Sequence, residues 1–219
     1  MKIYTKFGDK GNTKLISGET VSKNDKLIIA YGNIDKLISF LGFIITFYKE
    51  FYISTLKKKY KMKSKTKKEL DLIFELLNDI QILLFDVSTD LASTNLNQEQ
   101  KNKIKIKQIT QEDILKIEEI IDKIWSKIGN INSFVIPSNN TLSAMLHYLR
   151  TLTRETESKV VECSQQYQIN PNILPLINRL SDLFFTISLY LEILINNDIK
   201  LLVNFRSKRL FENFFKFFK

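Results

Sequence analysis

Five stretches of the chain repeat apolar residues at steps of three and four, and glycine and proline scarcely interrupt them. That spacing puts the apolar side chains on one face of an α-helix, so each stretch predicts an amphipathic helix with one side to bury. The first runs from Asn24 to about Phe51, its stripe marked by Leu27, Tyr31, Ile34, Leu37, Leu41 and Ile44. The second runs from Glu69 to Ser93 on Ile73, Leu76, Ile80, Leu83, Val87 and Leu91. The third opens with Thr110-Gln-Glu-Asp113, a capping box with Asp in place of Glu. It carries Ile114, Ile117, Ile121, Ile124 and Ile128 and is expected to stop at Gly129. The fourth follows Pro137-Ser-Asn-Asn and reaches Gln168 on Leu142, Met145, Leu149, Leu152, Thr156, Val160 and Cys163. The fifth, from Asn172 to Ile195, uses Ile177, Leu180, Phe184, Ile187 and Leu191. Six Gly and three Pro in 219 residues are too few for the many turns of a β-sandwich or barrel. The predicted fold is all-α, a five-helix antiparallel bundle behind an extended N-terminal loop.

Composition narrows the chemistry. A 44% hydrophobic share over 219 residues supports one domain, residues 1–219, with a substantial core. The single cysteine, Cys163, excludes a disulfide framework, and the single histidine, His147, excludes a two-histidine metal site. The net charge of +9 is concentrated in residues 57–68, KKKYKMKSKTKK, whose eight lysines leave the rest of the chain near neutral. Such a like-charged block predicts a solvated loop insertion, and no nucleic-acid partner is expected from it. A polar connector, Asn95 to Gln108, separates the second and third helices, and a basic, Phe-rich segment spans residues 199–219. In that segment Phe211, Phe214, Phe215 and Phe218 fall on one helical face.

No uninterrupted apolar run reaches the roughly 20 residues of a membrane span. The longest candidate, Leu37 to Phe47, lies within an amphipathic pattern. Distinctive residues begin by Ile3, leaving no room for a cleavable leader. An intracellular protein, cytoplasmic or organellar, is expected.

Chemistry-bearing residues gather in two places. The N-terminal segment Thr5-Lys-Phe-Gly-Asp-Lys-Gly-Asn-Thr13 combines two glycines, an Asp, hydroxyls and the cations Lys6 and Lys10. Backbone N–H groups approach a phosphate closely where no Cβ intervenes, although the P-loop spacing is missing and an ordinary turn has the same composition. The fourth helix sets His147, Arg150, Arg154 and Glu157 at steps of three, four and three, on one face. The fifth places Asn178 and Asp182 one turn apart beside Arg179. On helices otherwise so apolar, these polar groups are expected near a buried seam, where arginines need anionic partners.

Taken in order, these blocks resemble the PduO-type ATP:cob(I)alamin adenosyltransferases over nearly the whole chain. IYTKFGDKGNTKL and GETVSK are similar to that family's ATP loop, and AYGNIDKLISFLG to its first-helix signature. LFDVSTDLAS resembles the second-helix signature; FVIPSNN, LHYLRTLTRETE and INRLSDLFF resemble the active-site region. The resemblance implies a homotrimer with sites between adjacent subunits. ATP would be held by Thr5, Lys6, Phe7, Gly8, Asp9, Gly11, Thr13, Lys14 and Lys23 of one chain. The facing helices of its neighbour would supply Arg150, Arg154, Glu155, Thr156, Glu157, Ser158 and Asn178. Arg154, Glu157, Phe134 and Asp182 would be catalytic, Phe134 as the aromatic that displaces the corrinoid's lower axial ligand. Asp35 and Arg150 would form a salt bridge across the subunit boundary.

The implied activity transfers the 5′-deoxyadenosyl group of ATP, with Mg²⁺, to the cobalt of reduced cobalamin and releases triphosphate. A corrinoid reductase and an adenosylcobalamin-dependent mutase would be partners. Co(I) is itself a strong nucleophile, so such an enzyme needs no activated Ser, Cys or His, which agrees with the residues present. The chain departs from the family pattern at Phe7 (usually Thr), Lys36 and Ile38 (usually Glu and Asn), Ser138-Asn139 (usually Gly-Gly) and Glu155 (usually Arg). These departures leave a second reading, a corrinoid-binding or delivery protein of weak or no turnover.

Overall fold

A computed structural model describes residues 2–52, 64–137 and 139–201. Five long helices form the bundle: α1 (Lys26–Phe47), α2 (Ser64–Ala92), α4 (Gln111–Trp125), α5 (Thr141–Ser164) and α6 (Ile173–Asn196). A short helix, α3 (Gln98–Lys103), lies between α2 and α4. In front of α1, strands β1 (Asn12–Lys14) and β2 (Thr20–Ser22) pair antiparallel with Thr13 opposite Val21. A single 3₁₀ turn, Phe7–Lys10, precedes β1.

Around the bundle α1 packs against α2 and α5, α5 against α6, and α6 against α4, with α2 touching α6. Most residues of the stripes expected from the sequence are buried, while Tyr31, Leu76, Leu83, Ile121, Ile124, Ile128 and Met145 pack half-buried against the core. Leu27, Ile34, Leu37, Leu41 and Ile44 of α1 are fully enclosed, as are Ile177, Leu180, Phe184, Ile187 and Leu191 of α6. By length and apolar composition α1, continued to Glu50, matches a membrane-crossing helix, although no uninterrupted apolar run of that length was expected from the sequence. Eight of its residues are buried in this core, as befits the central helix of a bundle.

Local chemistry sets the helix ends. Asp25 caps α1 by accepting from Leu27 N at 2.8 Å, and Asn140 caps α5 by accepting from Ser143 N at 2.9 Å. The reciprocal Thr110/Asp113 box opens α4 as expected. Pro175 sits in the first turn of α6, where its missing N–H has no intrahelical partner to lose.

Several boundaries differ from expectation. After Phe47 the first helix continues only as one π turn, Tyr48–Tyr52, where the Tyr48 ring stacks on Phe74 at 3.6 Å and its hydroxyl donates to Asp71 at 2.9 Å. Helix α2 begins at Ser64, so Ser64 to Lys68 belong to a helix and not to the lysine loop. Lysine is a good helix former, and Lys67 pairs with Asp71 one turn on at 3.0 Å. The rest of the lysine block, residues 57–63, lies outside the described residues, as do Ser138 and the four Phe of the C-terminal face. Helix α4 ends at Trp125, four residues before Gly129, whose positive φ of 85° closes the turn that follows. Helix α3 was not expected inside the polar connector, although its Asn97-x-x-Gln100 capping box is legible in the sequence.

Candidate functional site

The N-terminal loop is a tight polar structure at one end of the bundle. Lys6 and Gly11 take left-handed backbone conformations on either side of the 3₁₀ turn, and Lys23 N donates to Gly11 O at 2.8 Å. A Cβ on Gly8 would lie 2.9 Å from the Lys23 ammonium nitrogen, so this glycine lets the cation close over the loop backbone. Lys14 sits 5.1 Å from the centroid of the Phe7 ring. Thr5 accepts from Phe7 N at 3.4 Å, Asp9 is exposed, and Thr13 is half-buried in β1. Asp25, at the junction of the loop and α1, is tied to the turn after α5, because its second oxygen accepts from the Tyr167 hydroxyl at 2.9 Å. Burial, then that hydrogen bond, pushes the Tyr167 phenol up to about 12.

The second cluster lies across α5 and α6. Asn178 donates to Glu157 at 2.9 Å and accepts from Arg179 at 2.8 Å, while Arg179 also reaches Glu118 of α4 at 2.8 Å and Asp182 at 3.4 Å. Four expected or neighbouring polar groups thus form one chain of contacts. Arg179 and Glu118, not expected as site residues, tie it to α4. Arg179 stood beside Asn178 in the sequence, but nothing local signals Glu118, whose partner is 61 residues away.

The expected common face of α5 divides by depth. His147 is buried, with its ring edge toward Phe185 at 5.8 Å. Ser188 donates its proton to Phe185 O, which leaves His147 Nε2 as the donor to Ser188 Oγ at 3.2 Å. Burial, and secondarily Arg150, holds His147 down to about 4, so it is neutral at physiological pH. Arg150 lies over the Phe185 ring at 5.8 Å, and its enclosed Nε has no hydrogen-bond partner among the described residues. Arg154 is exposed, which departs from the seam expected for it, and no described carboxylate pairs with either arginine. Asp35, exposed on α1, is likewise without a described cationic partner.

Neighbouring positions differ in availability. Glu155 accepts from Lys36 of α1 at 3.2 Å. Ser158 is exposed and donates to Arg154 O. Thr156 is buried, its hydroxyl directed to the backbone oxygens of Leu152 and Asn33. Phe134 projects from the segment before α5 with 80% of its surface exposed. Cys163 is enclosed, and burial raises its thiol to about 11, so it is no nucleophile at neutral pH. Among the described residues no hydrogen bond or ion pair joins the N-terminal loop to Arg154, Glu157 or Asn178 of the same chain. No three metal-ligating side chains cluster among them either.

The cobalamin adenosyltransferase family model matches residues 3–191. A corrinoid adenosyltransferase from Citrobacter freundii is 34% identical over 188 residues, covering 85% of this chain and 93% of that protein. The human corrinoid adenosyltransferase is 33% identical over 189 residues, 86% of this chain and 68% of that one. Among solved structures, a variant PduO-type ATP:corrinoid adenosyltransferase from Lactobacillus reuteri, complexed with cobalamin and ATP, superposes with a TM-score of 0.75. That pair shares 32% identity over 91% of this chain and 98% of the other. With the bundle, the loop and the polar cluster in place, the chain belongs to the cobalamin adenosyltransferase family.

Proposed function

We propose that this protein transfers the 5′-deoxyadenosyl group of ATP to the cobalt of reduced cobalamin, forming adenosylcobalamin and triphosphate. The observation that carries this reading is Arg154. It is an exposed guanidinium, unpaired among the described residues, one turn from the fixed Glu157–Asn178 pair, on a chain whose family acts on corrinoids. In the reaction Co(I) attacks C5′ of ATP, the Co–C bond forms, and the C5′–O bond breaks with its electron pair leaving on triphosphate. No proton need be removed from the nucleophile, in keeping with a neutral His147 and an inert Cys163. The chain supplies orientation and charge: Arg154 faces the leaving triphosphate, and the Lys23-closed loop holds its phosphates.

The site is proposed to need two chains. Among the described residues of one chain the loop does not reach Arg154, and neither Asp35 nor Arg150 has an oppositely charged partner. A homotrimer would bring these halves together and pair the two charges. Mg²⁺ would accompany the nucleotide and share the neutralisation of its phosphates with Lys23 and Arg154. Phe134, exposed and apolar, would occupy the space beneath the corrin and keep the lower axial ligand away from Co(II), which eases reduction. A reductase that supplies Co(I) and a mutase that receives the product are the implied partners. The deciding experiment supplies ATP, Mg²⁺ and chemically reduced cobalamin and follows the adenosylcobalamin spectrum. Product formation at a catalytic rate is expected. Tight corrinoid binding without product would favour the delivery reading.

A further inference from the structure

Phe134 stands on a short mount made from two distant parts of the chain. Val135 pairs antiparallel with Leu201, and Ile136 N donates to Lys200 O at 2.7 Å. Asn139 donates to Asp198 O and Asn140 to Asn196, each at 2.8 Å. The returning half, Asp198 to Leu201, lies beyond the residues matched by the family model. Beneath it Glu192 is completely buried, one turn before the end of α6. One carboxylate oxygen accepts from Ser143 Oγ at 2.7 Å, in the first turn of α5, and the Lys200 backbone N–H also bonds to this carboxylate. The other oxygen is enclosed without a hydrogen bond among the described residues.

A carboxylate in such a place is costly, and a leucine of similar size would serve a purely structural role better. What leucine cannot do is hold the Lys200 backbone. We infer that Glu192 is a positioning residue for the corrinoid face. Through Lys200 it fixes the strand that carries Phe134, and so sets how far that ring keeps the lower ligand from Co(II). Phe134 meets the substrate and Glu192 does not. The inference rests on the proposed role of Phe134, and the two can fail separately.

The test uses the full chain with ATP and cob(II)alamin, read by electron paramagnetic resonance. The splitting from the axial nitrogen disappears when the lower ligand leaves cobalt. In the unaltered protein a ligand-free fraction is expected. In Glu192→Leu that fraction should fall at least about fivefold, the scale of one lost hydrogen bond, with KM for ATP unchanged. Glu192→Gln, which keeps an acceptor for Ser143 and Lys200, should retain it. If Glu192→Leu does not fold, Lys200→Pro carries the same test by deleting the N–H, with Lys200→Ala as the control for the lost ammonium, which should retain the ligand-free fraction. A folded Glu192→Leu or Lys200→Pro with the full ligand-free fraction overturns the inference and leaves Phe134's role standing. An unaltered protein that never releases the ligand overturns both.

Discussion

Lys36 of α1 and Glu155 of α5 form an ion pair at 3.2 Å, and Lys36 also donates to Asn33 at 3.0 Å. These are two of the positions where the chain departs from the family pattern, and they depart with opposite sign: Lys stands for Glu, and Glu for Arg. In this chain the two charges meet as an ion pair between α1 and α5, so Glu155 is occupied instead of competing for Arg154 one residue away. The pair is half exposed and worth about 0–1 kcal/mol to the isolated chain, so its consequence lies in charge placement near the site.

Reversing one member should therefore matter more than reversing both. Lys36→Glu sets two carboxylates against each other beside Arg154 and is expected to raise KM for ATP roughly fivefold by like-charge repulsion. Lys36→Glu combined with Glu155→Lys should bring KM back to within about twofold. A double variant as impaired as the single would show that the pair does not govern the local field.

Arg154→Ala should melt at the same temperature as the unaltered protein, since the exposed guanidinium makes no hydrogen bond or ion pair among the described residues. Turnover should drop at least about tenfold, the equivalent of one charge-assisted contact to the leaving group of about 1.4 kcal/mol or more. Steady-state kinetics at saturating ATP measures it, and an unchanged kcat would remove Arg154 from the chemistry.

Gly8→Ala tests the loop. Its backbone conformation tolerates alanine, but the new methyl group would meet the Lys23 ammonium, 2.9 Å from the ideal Cβ position. The flexible lysine can swing away, so folding is expected to be unaffected while KM for ATP rises several-fold. Equal ATP affinity by calorimetry would mean that Lys23 does not close on the phosphates.

Asp35→Asn should weaken the proposed trimer, or ATP binding, more than exchanging the pair as Asp35→Arg with Arg150→Asp, because one enclosed charge left alone is the costly state. Light scattering coupled to an activity assay reads both, and a fully active monomer would contradict a site shared between chains.

His147 makes stability fall on the acid side. Its folded value of about 4 lies below the ordinary 6.5, so the unfolded chain binds a proton first as pH drops. The contribution is complete above about 6.5 and is lost progressively as pH falls toward 4, on the order of 3 kcal/mol in total. Denaturant titrations at pH 7, 5.5 and 4.5 should show this loss in the unaltered protein and a shallower one in His147→Gln. Parallel curves would mean that the imidazole titrates normally.

The helices were legible because their cause is local. A stripe at steps of three and four, Asp25, Thr110 and Asn140 at the caps, and Pro175 in a first turn act within a few residues of themselves. What was misjudged locally was misjudged by composition: the lysines at 65, 67 and 68 suggested a loop, while Lys67–Asp71 and helix propensity made a helix. The loop, the arginines and Phe134 were placed in the site by resemblance to a family, and the bundle then separated them by depth.

By itself the sequence determined the all-α class, the helix faces and, with the family pattern, the chemistry of the site, since periodicity and residue type travel with the chain. Only the tertiary structure decided which charges meet. Lys36 with Glu155, Asn178 with Glu157, Arg179 with Glu118, and Glu192 beneath the Phe134 mount join residues far apart in sequence. Those contacts depend on how each helix is rotated and how deeply it is set against its neighbours. That is fixed by the packing of the whole core and by nothing within reach of either residue alone.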